Sequence, residues 1–221
     1  MAWIALKAED GHQLQAWLAQ PQGQARGGVV VLQEIFGVNS HIRDVCDRLA
    51  AQGWLAIAPA LFDRVERGRE LGYAPEQATA GRAVRNRIGD DEALRDVAAS
   101  IAHVAPAGKV AVMGFCWGGT LTWLAAARLP GIACGVAYYG TNIHAHRAEQ
   151  PRVPVLMHFG EQDKNIPLDH VAEIAAAHPG QALYRYHAGH GFNCDQRAAF
   201  DAPSAALAGE RTRHFLESHL C

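Results

Sequence analysis

Two short runs of this chain, Gly28-Val29-Val30-Val31-Leu32 and Val110-Ala111-Val112-Met113, carry no polar residue at all, and they restrict the folds open to it. A strand without alternation has to be buried on both faces. That is the condition of a parallel sheet covered by helices on each side. Segments with helical character alternate with such runs along the chain. A helix is expected from about Ser40, a candidate N-cap, to Gln52, stopped by Gly53, and Leu55 to Ala58 reads as a strand ended by Pro59. Pro75 to Val104 reads as mainly helical, with breaks expected at Gly81 and Gly89. Helices are expected over residues 118–128, 168–178 and 203–219, and strands over 134–138, 155–159 and 182–186. Ahead of all this, Trp3 to Leu6, the Asp10-Gly11 turn and the alternating Gln13 to Leu18 suggest a hairpin. The pattern predicts an α/β class fold, a doubly wound, mostly parallel sheet with helices on both faces. With 221 residues, 49% of them hydrophobic, and no linker or repeat, residues 1–221 are expected to form one domain.

The charge balance excludes several functions. A formal net charge of -2 gives no electrostatic footprint for nucleic acid or for an anionic membrane. The Arg64 to Arg69 stretch is mixed with Glu66 and Glu70, a solvated segment and not a basic patch. Met1 to Leu18 includes Lys7, Glu9, Asp10 and His12, so no signal-like apolar stretch is expected there. No apolar run approaches the roughly 20 residues that span a bilayer. Five widely spaced cysteines, Cys46, Cys116, Cys134, Cys194 and Cys221, suggest free thiols in a reducing cytoplasm.

The second of the two apolar runs continues into Gly114-Phe115-Cys116-Trp117-Gly118-Gly119 and then an apolar helix. Glycines two before and two after a central residue are what a sharp strand-to-helix turn requires, because side chains there would clash. Such a turn lifts the central side chain above the sheet, and the helix N-terminus behind it favours a thiolate. Cys116 is therefore the candidate nucleophile; a buried structural cysteine is the alternative. A nucleophile on such a turn expects an acid and then a base after later strands. Asp163 follows the 155–159 strand, with Glu161 as competitor, and His190 follows the 182–186 strand between two glycines, with His187 as competitor. His144-Ala145-His146 lacks the convergent partners of a metal site, and no G-x-G-x-x-G follows a strand. Neither a metal nor another cofactor is expected.

With these residues identified, the chain closely resembles the dienelactone hydrolase family of the α/β-hydrolase superfamily. The matching runs are Gln33-Glu34-Ile35-Phe36-Gly37-Val38-Asn39, Gly114 to Gly119, Tyr138-Tyr139-Gly140, Gly189-His190-Gly191-Phe192 and Glu210-Arg211-Thr212. The resemblance implies a Cys–His–Asp triad that cleaves a small ester or lactone through an acyl-thiol intermediate. It further implies an oxyanion hole of the Ile35 and Trp117 backbone N–H groups, and a Glu34 that helps activate the cysteine when substrate arrives. Two departures stand out. The family's Arg partner for this glutamate falls at Cys194, with Arg197 beyond, so Glu34 is expected to be held differently. The family's Arg and Tyr that bind a substrate carboxylate have no full counterpart in residues 78–87, which offer Arg82, Arg85 and Arg87 but no Tyr. Arg82 and Arg85 share a helix face and are candidates to bind an anion; ordinary solvated charges are the alternative. Rival functions are a thioesterase or acyl-transferase on the same turn, a thiol redox sensor using Cys116 with Cys194 as resolving partner, and an inert scaffold.

Overall fold

The computed structural model describes residues 1–221. The N-terminal alternation forms the expected hairpin, with β1 (Ala2–Lys7) antiparallel to β2 (Gln13–Ala19). Its inward residues Leu14, Ala16 and Leu18 are buried. After it come β3 (Gly28–Leu32), α1 (Ser40–Ala51), β4 (Leu55–Pro59), α2 (Pro75–Arg85), α3 (Asp90–Val104) and β5 (Val110–Phe115). The chain then runs through α4 (Trp117–Arg128), β6 (Cys134–Tyr138), β7 (Val155–Gly160), α5 (Leu168–Ala177), β8 (Ala182–Tyr186) and α6 (Ala202–Leu220). The α1 cap falls one residue earlier than expected. Asn39 accepts from the Ile42 N–H, while the Ser40 hydroxyl bonds Gln196 instead.

The eight strands form one sheet in the order β1-β2-β4-β3-β5-β6-β7-β8. β2 meets β4 antiparallel, and every pairing from β4 to β8 is parallel. The chain moves from β3 outward to β4, then returns to place β5 on the other side of β3. Strand order therefore reverses between β3 and β5, and a crevice opens beyond the carboxyl ends of strands at such a point. Alternate residues of β5 serve the two faces: Met113 and Phe115 line a cleft between α1 and α6, while Gly114 faces α4. One hydrophobic cluster of 63 buried residues joins both layers. Trp54 and Trp123 belong to it, whereas Trp17 is half-buried and donates its indole N–H to Asp47.

The polar interruption of β7 is satisfied internally. His158 Nδ1 lies 2.7 Å from the Tyr186 hydroxyl and Nε2 lies 3.0 Å from Thr212 Oγ1, so the ring pins α6 to the sheet. Burial, helped by the Arg211 charge, pushes its pKa down to about 3, so it stays neutral.

The helix expected to break at Gly81 does not break there; the break falls over residues 86–89, with Gly89 as the cap of α3. Gly81 is needed for proximity. A Cβ on it would stand 1.9 Å from the Ile35 carbonyl oxygen, so α2 rests directly on the backbone of the loop after β3. Gly81→Ala should therefore lower unfolding free energy by about 1–3 kcal/mol, even though alanine is the better helix former. Urea denaturation measures this; a stabilised variant would mean that the helix does not press on the loop.

Candidate active site

The turn between β5 and α4 holds Cys116 at φ 54° and ψ -114°, a left-handed backbone that a residue with a side chain adopts only under constraint. The constraint is visible in its neighbours. The Cys116 N–H donates to the Tyr138 carbonyl at 3.0 Å, and the Gly118 N–H donates to the Gln33 carbonyl at 3.1 Å. Any Cβ at Gly114 would meet the Gly118 carbonyl at 2.1 Å, and one at Gly118 would meet the Leu32 carbonyl at 2.4 Å. The helix starts at Trp117, immediately after the cysteine, so its N-terminal dipole is aimed at Cys116.

His190, from the loop after β8, lines the same cavity as Cys116, and its Nδ1 lies 2.7 Å from Asp163 Oδ2. The other Asp163 oxygen accepts from the Asn165 N–H at 2.8 Å, which fixes the carboxylate. The competitors are elsewhere. Glu161 and His187 face each other at 3.8 Å on the surface, with the His187 side chain 84% exposed. Burial disfavours a charged His190, but the Cys116 charge and the Asp163 carboxylate outweigh it and raise its pKa to about 10. A second strained residue, Tyr139 at φ 38°, sets its ring edge-on to His190 at 5.0 Å.

Glu34 is buried beside this group, and Arg197 Nη1 donates to its Oε1 at 2.7 Å. The expectation that Glu34 is held differently, with Cys194 at the family's Arg position, is thereby corrected: an arginine does hold it, Arg197. The loop after Cys194 folds back far enough for Arg197 to fill the role. Spacing from His190 could not reveal this, because a flexible side chain three residues further on reaches the same point through the fold. Arg197 also lies 5.5 Å over the rings of both Phe36 and Tyr73.

These groups meet in a cavity of about 280 Å³ lined by Cys116, His190, Trp117, Ile35, Phe36 and Ala78, with Arg82, Arg85 and Arg197 at its polar side. Asn86, Thr141, Asn142 and Asn165 complete the wall, four residues that no motif or spacing in the chain singles out. No carboxylate lines it, so the cavity is cationic. Arg85 also contacts Asp90 at 3.4 Å and lies 5.7 Å over Trp117, while Arg82 bonds Thr79. Neither the Ile35 nor the Trp117 N–H is taken up by a backbone acceptor. A larger cleft, about 500 Å³ between α1 and α6, contains no cysteine or histidine.

Two histidine groups bear on metal binding. His144 pairs with Glu173 and stacks on His170, while His146 turns to Asp90 and Glu149, so the His-x-His pair does not converge. His41, Cys194 and Asp195 do gather donor atoms within 4.8 Å. Arg48, 3.5 Å from Asp195, opposes a cation there, and burial pushes the Cys194 thiol up to about 11. We read this as a polar cluster.

The sheet order, the strained residue between β5 and α4, and the carboxylate and imidazole delivered after β7 and β8 define an α/β-hydrolase. The chain belongs to the dienelactone hydrolase family, whose profile its residues 14–220 match. It is 37% identical to a Synechocystis sp. protein named "putative carboxymethylenebutenolidase", over 94% of this chain and 93% of that one. An Azospirillum brasilense protein of the same name is 33% identical over the full length of both. The crystal structure of a "putative dienelactone hydrolase" from Klebsiella pneumoniae superposes with a TM-score of 0.83 at 31% identity, covering 98% of this chain and 99% of that one. The protein is a dienelactone hydrolase-like hydrolase.

The raised pKa of His190 has a defined consequence. Because the folded value lies above the ordinary one, the charged pair contributes stability below about pH 6.5, and this is lost as pH rises through about 10. Asp163→Asn removes two of the causes that raise it. NMR titration of the His190 ring should give a midpoint well above 7 in the parent and a clearly lower one in Asp163→Asn. Equal midpoints would remove Asp163 as a support of the imidazolium.

Proposed function

We propose that the protein hydrolyses a small ester or lactone bearing an anionic group, with Cys116 as nucleophile, His190 as base and acid, and Asp163 orienting His190. The observation that carries this reading is a strained cysteine at a helix N-terminus, sharing one cavity with a half-buried imidazole that a buried carboxylate holds. The thiolate attacks the carbonyl carbon, and the oxygen that becomes negative is received by the Ile35 and Trp117 N–H groups. Collapse breaks the ester C–O bond, and His190 gives its proton to the departing alkoxide, leaving an acyl-thiol. Water, deprotonated by His190, then attacks the acyl carbon and restores the thiolate. In a lactone the protonated alcohol remains part of the acyl chain, and this second step releases one product, the ring-opened hydroxy acid.

Glu34 is assigned to thiol activation. Arg197 lies between two anions, the Glu34 carboxylate and whatever occupies the cavity it lines. An incoming carboxylate that engages Arg197 loosens its hold on Glu34, which becomes free to take the thiol proton. The relatives' name denotes action on a carboxylate-bearing lactone, and the three cavity arginines suit such a substrate. The five free thiols fit a reducing compartment. We take residues 1–221 to act as one unit. A thiol sensor fits less well, since Cys194, its resolving partner, is fully buried and burial pushes its thiol up to about 11.

Cys116→Ala should lose at least a thousandfold in kcat on p-nitrophenyl acetate, while Cys134→Ala should stay near the parent rate. Retained turnover in Cys116→Ala would refute the nucleophile. Arg82→Ala should lower kcat/KM for a carboxylate-bearing ester by roughly ten- to a hundredfold, the worth of one charge-assisted hydrogen bond, and leave p-nitrophenyl acetate unaffected. Equal effects on both esters would remove Arg82 from anion binding.

A further inference from the structure

Four buried polar atoms in and around the site have no hydrogen-bond partner: Glu34 Oε2, His41 Nε2, Trp117 Nε1 and the Tyr139 hydroxyl. Of these, the Glu34 carboxylate and the His41 imidazole can each take up and release a proton near neutral pH, and the Glu34 charge acts on His41. Native interiors rarely leave a carboxylate oxygen and an imidazole nitrogen unsatisfied, and such atoms tend to mark a place where something moves. His41 sits in α1, fully buried, edge-on to Phe115 at 5.8 Å. Its other nitrogen, Nδ1, lies 3.3 Å from Asp195 Oδ1, and the Asp195 side chain is 45% exposed. Arg48, on the same helix as His41, lies 3.5 Å from the second Asp195 oxygen. Burial pushes the His41 pKa below its ordinary value, against the pull of Glu34 and then of Asp195, so the ring is neutral at rest. Around Glu34 the other charged or titratable groups are Arg197, Tyr73, Tyr139 and Cys194. None of the four accepts a proton readily, since burial raises the two phenols and the thiol and Arg197 is already protonated.

This poses a problem for the glutamate. A buried carboxylate that takes the thiol proton has no contact with solvent through which to lose it. Arg197 occupies one oxygen, and among the groups that sense the Glu34 charge His41 is the one bonded to a solvent-exposed carboxylate, Asp195. We propose that His41 is a positioning residue that relays a proton between Glu34 and the solvent-facing Asp195. The inference rests on the assignment of Glu34 to thiol activation made above. In the resting arrangement Oε2 and Nε2 do not bond; when a substrate anion draws Arg197 away, the carboxylate is free to turn toward the ring. The proton on Oε2 then passes to Nε2 while the Nδ1 hydrogen passes to Asp195 and on to water. One proton leaves Glu34, one reaches Asp195, and the imidazole is neutral before and after, in its other tautomer. The reverse transfer, when the thiol re-forms, restores the first tautomer.

The test compares kcat–pH profiles of the parent, His41→Gln, Asp195→Asn, Glu34→Gln and Arg48→Gln on p-nitrophenyl succinate, whose free carboxylate can engage Arg197. His41→Gln and Asp195→Asn should each lower kcat about five- to tenfold, with KM within about twofold, and move the acid-side midpoint upward by roughly half a unit or more. Arg48→Gln, which breaks the surface ion pair but leaves the relay, should match the parent. Should His41→Gln fail to fold, Asp195→Asn, altered only at a half-exposed side chain, decides the matter. A relay is overturned if Glu34→Gln is impaired while His41→Gln and Asp195→Asn keep parental kcat and midpoint. If Glu34→Gln itself behaves as the parent, the assignment of Glu34 falls, and the relay falls with it for want of a source.

Discussion

The first turn of α4 lies against the backbones of β3 and β6 at a distance that admits no side chain, and the geometry of the site follows from that contact. Gly118 meets the carbonyls of Leu32 and Gln33, and Gly119 meets that of Tyr138. With the helix this close, Cys116 has no room for an ordinary backbone and is driven into positive φ. The same contact brings Trp117 and Ile35 to the lining of the cavity, because Gln33 is tied to Gly118 and Ile35 follows two residues on. Strain of this kind costs of order 1–3 kcal/mol, and the packing on three sides keeps it in place. α2 adds a fourth side by resting on Ile35 through Gly81.

Charge is arranged around this frame in matched pairs. His190 and Asp163 form one, and Arg197 and Glu34 the other, each with a distance of 2.7 Å. A buried Glu34 without Arg197 would carry an uncompensated charge in the interior. Arg197 supplies the countercharge and also lines the cavity. In the proposed mechanism an anion entering the cavity competes with Glu34 for that guanidinium.

Buried polar groups elsewhere serve cohesion. His158, Tyr138, Tyr186 and Thr212 hydrogen-bond one another and join α6 to three adjacent strands. Arg64 joins Asp10 to Asp96 and so holds the N-terminal hairpin connection to α3. Both networks lie away from the cavity. The difference is in satisfaction: His158 uses both ring nitrogens, whereas His41 leaves one free, as the Glu34 carboxylate leaves one oxygen free.

Much of this was legible in the residues. Wholly apolar β3 and β5 required a sheet buried on both faces, and the glycines around Cys116 required a tight turn there, since no other residue fits so close to a carbonyl. Chain order then singled out Asp163 and His190. What the chain alone could not supply was distance between residues far apart in sequence. Arg197 reaches Glu34 across 163 positions, Asp195 reaches His41 across 154, and Arg82 and Arg85 come to the cavity because α2 lies on the Ile35 loop. Even Gly81, read from the sequence as a helix break, owes its presence to a contact made in space. Local chemistry and periodicity act over a few residues and so are written in the chain. The charge partners of Glu34 and His41 depend on where separate loops meet above the sheet, and only the tertiary structure decides that.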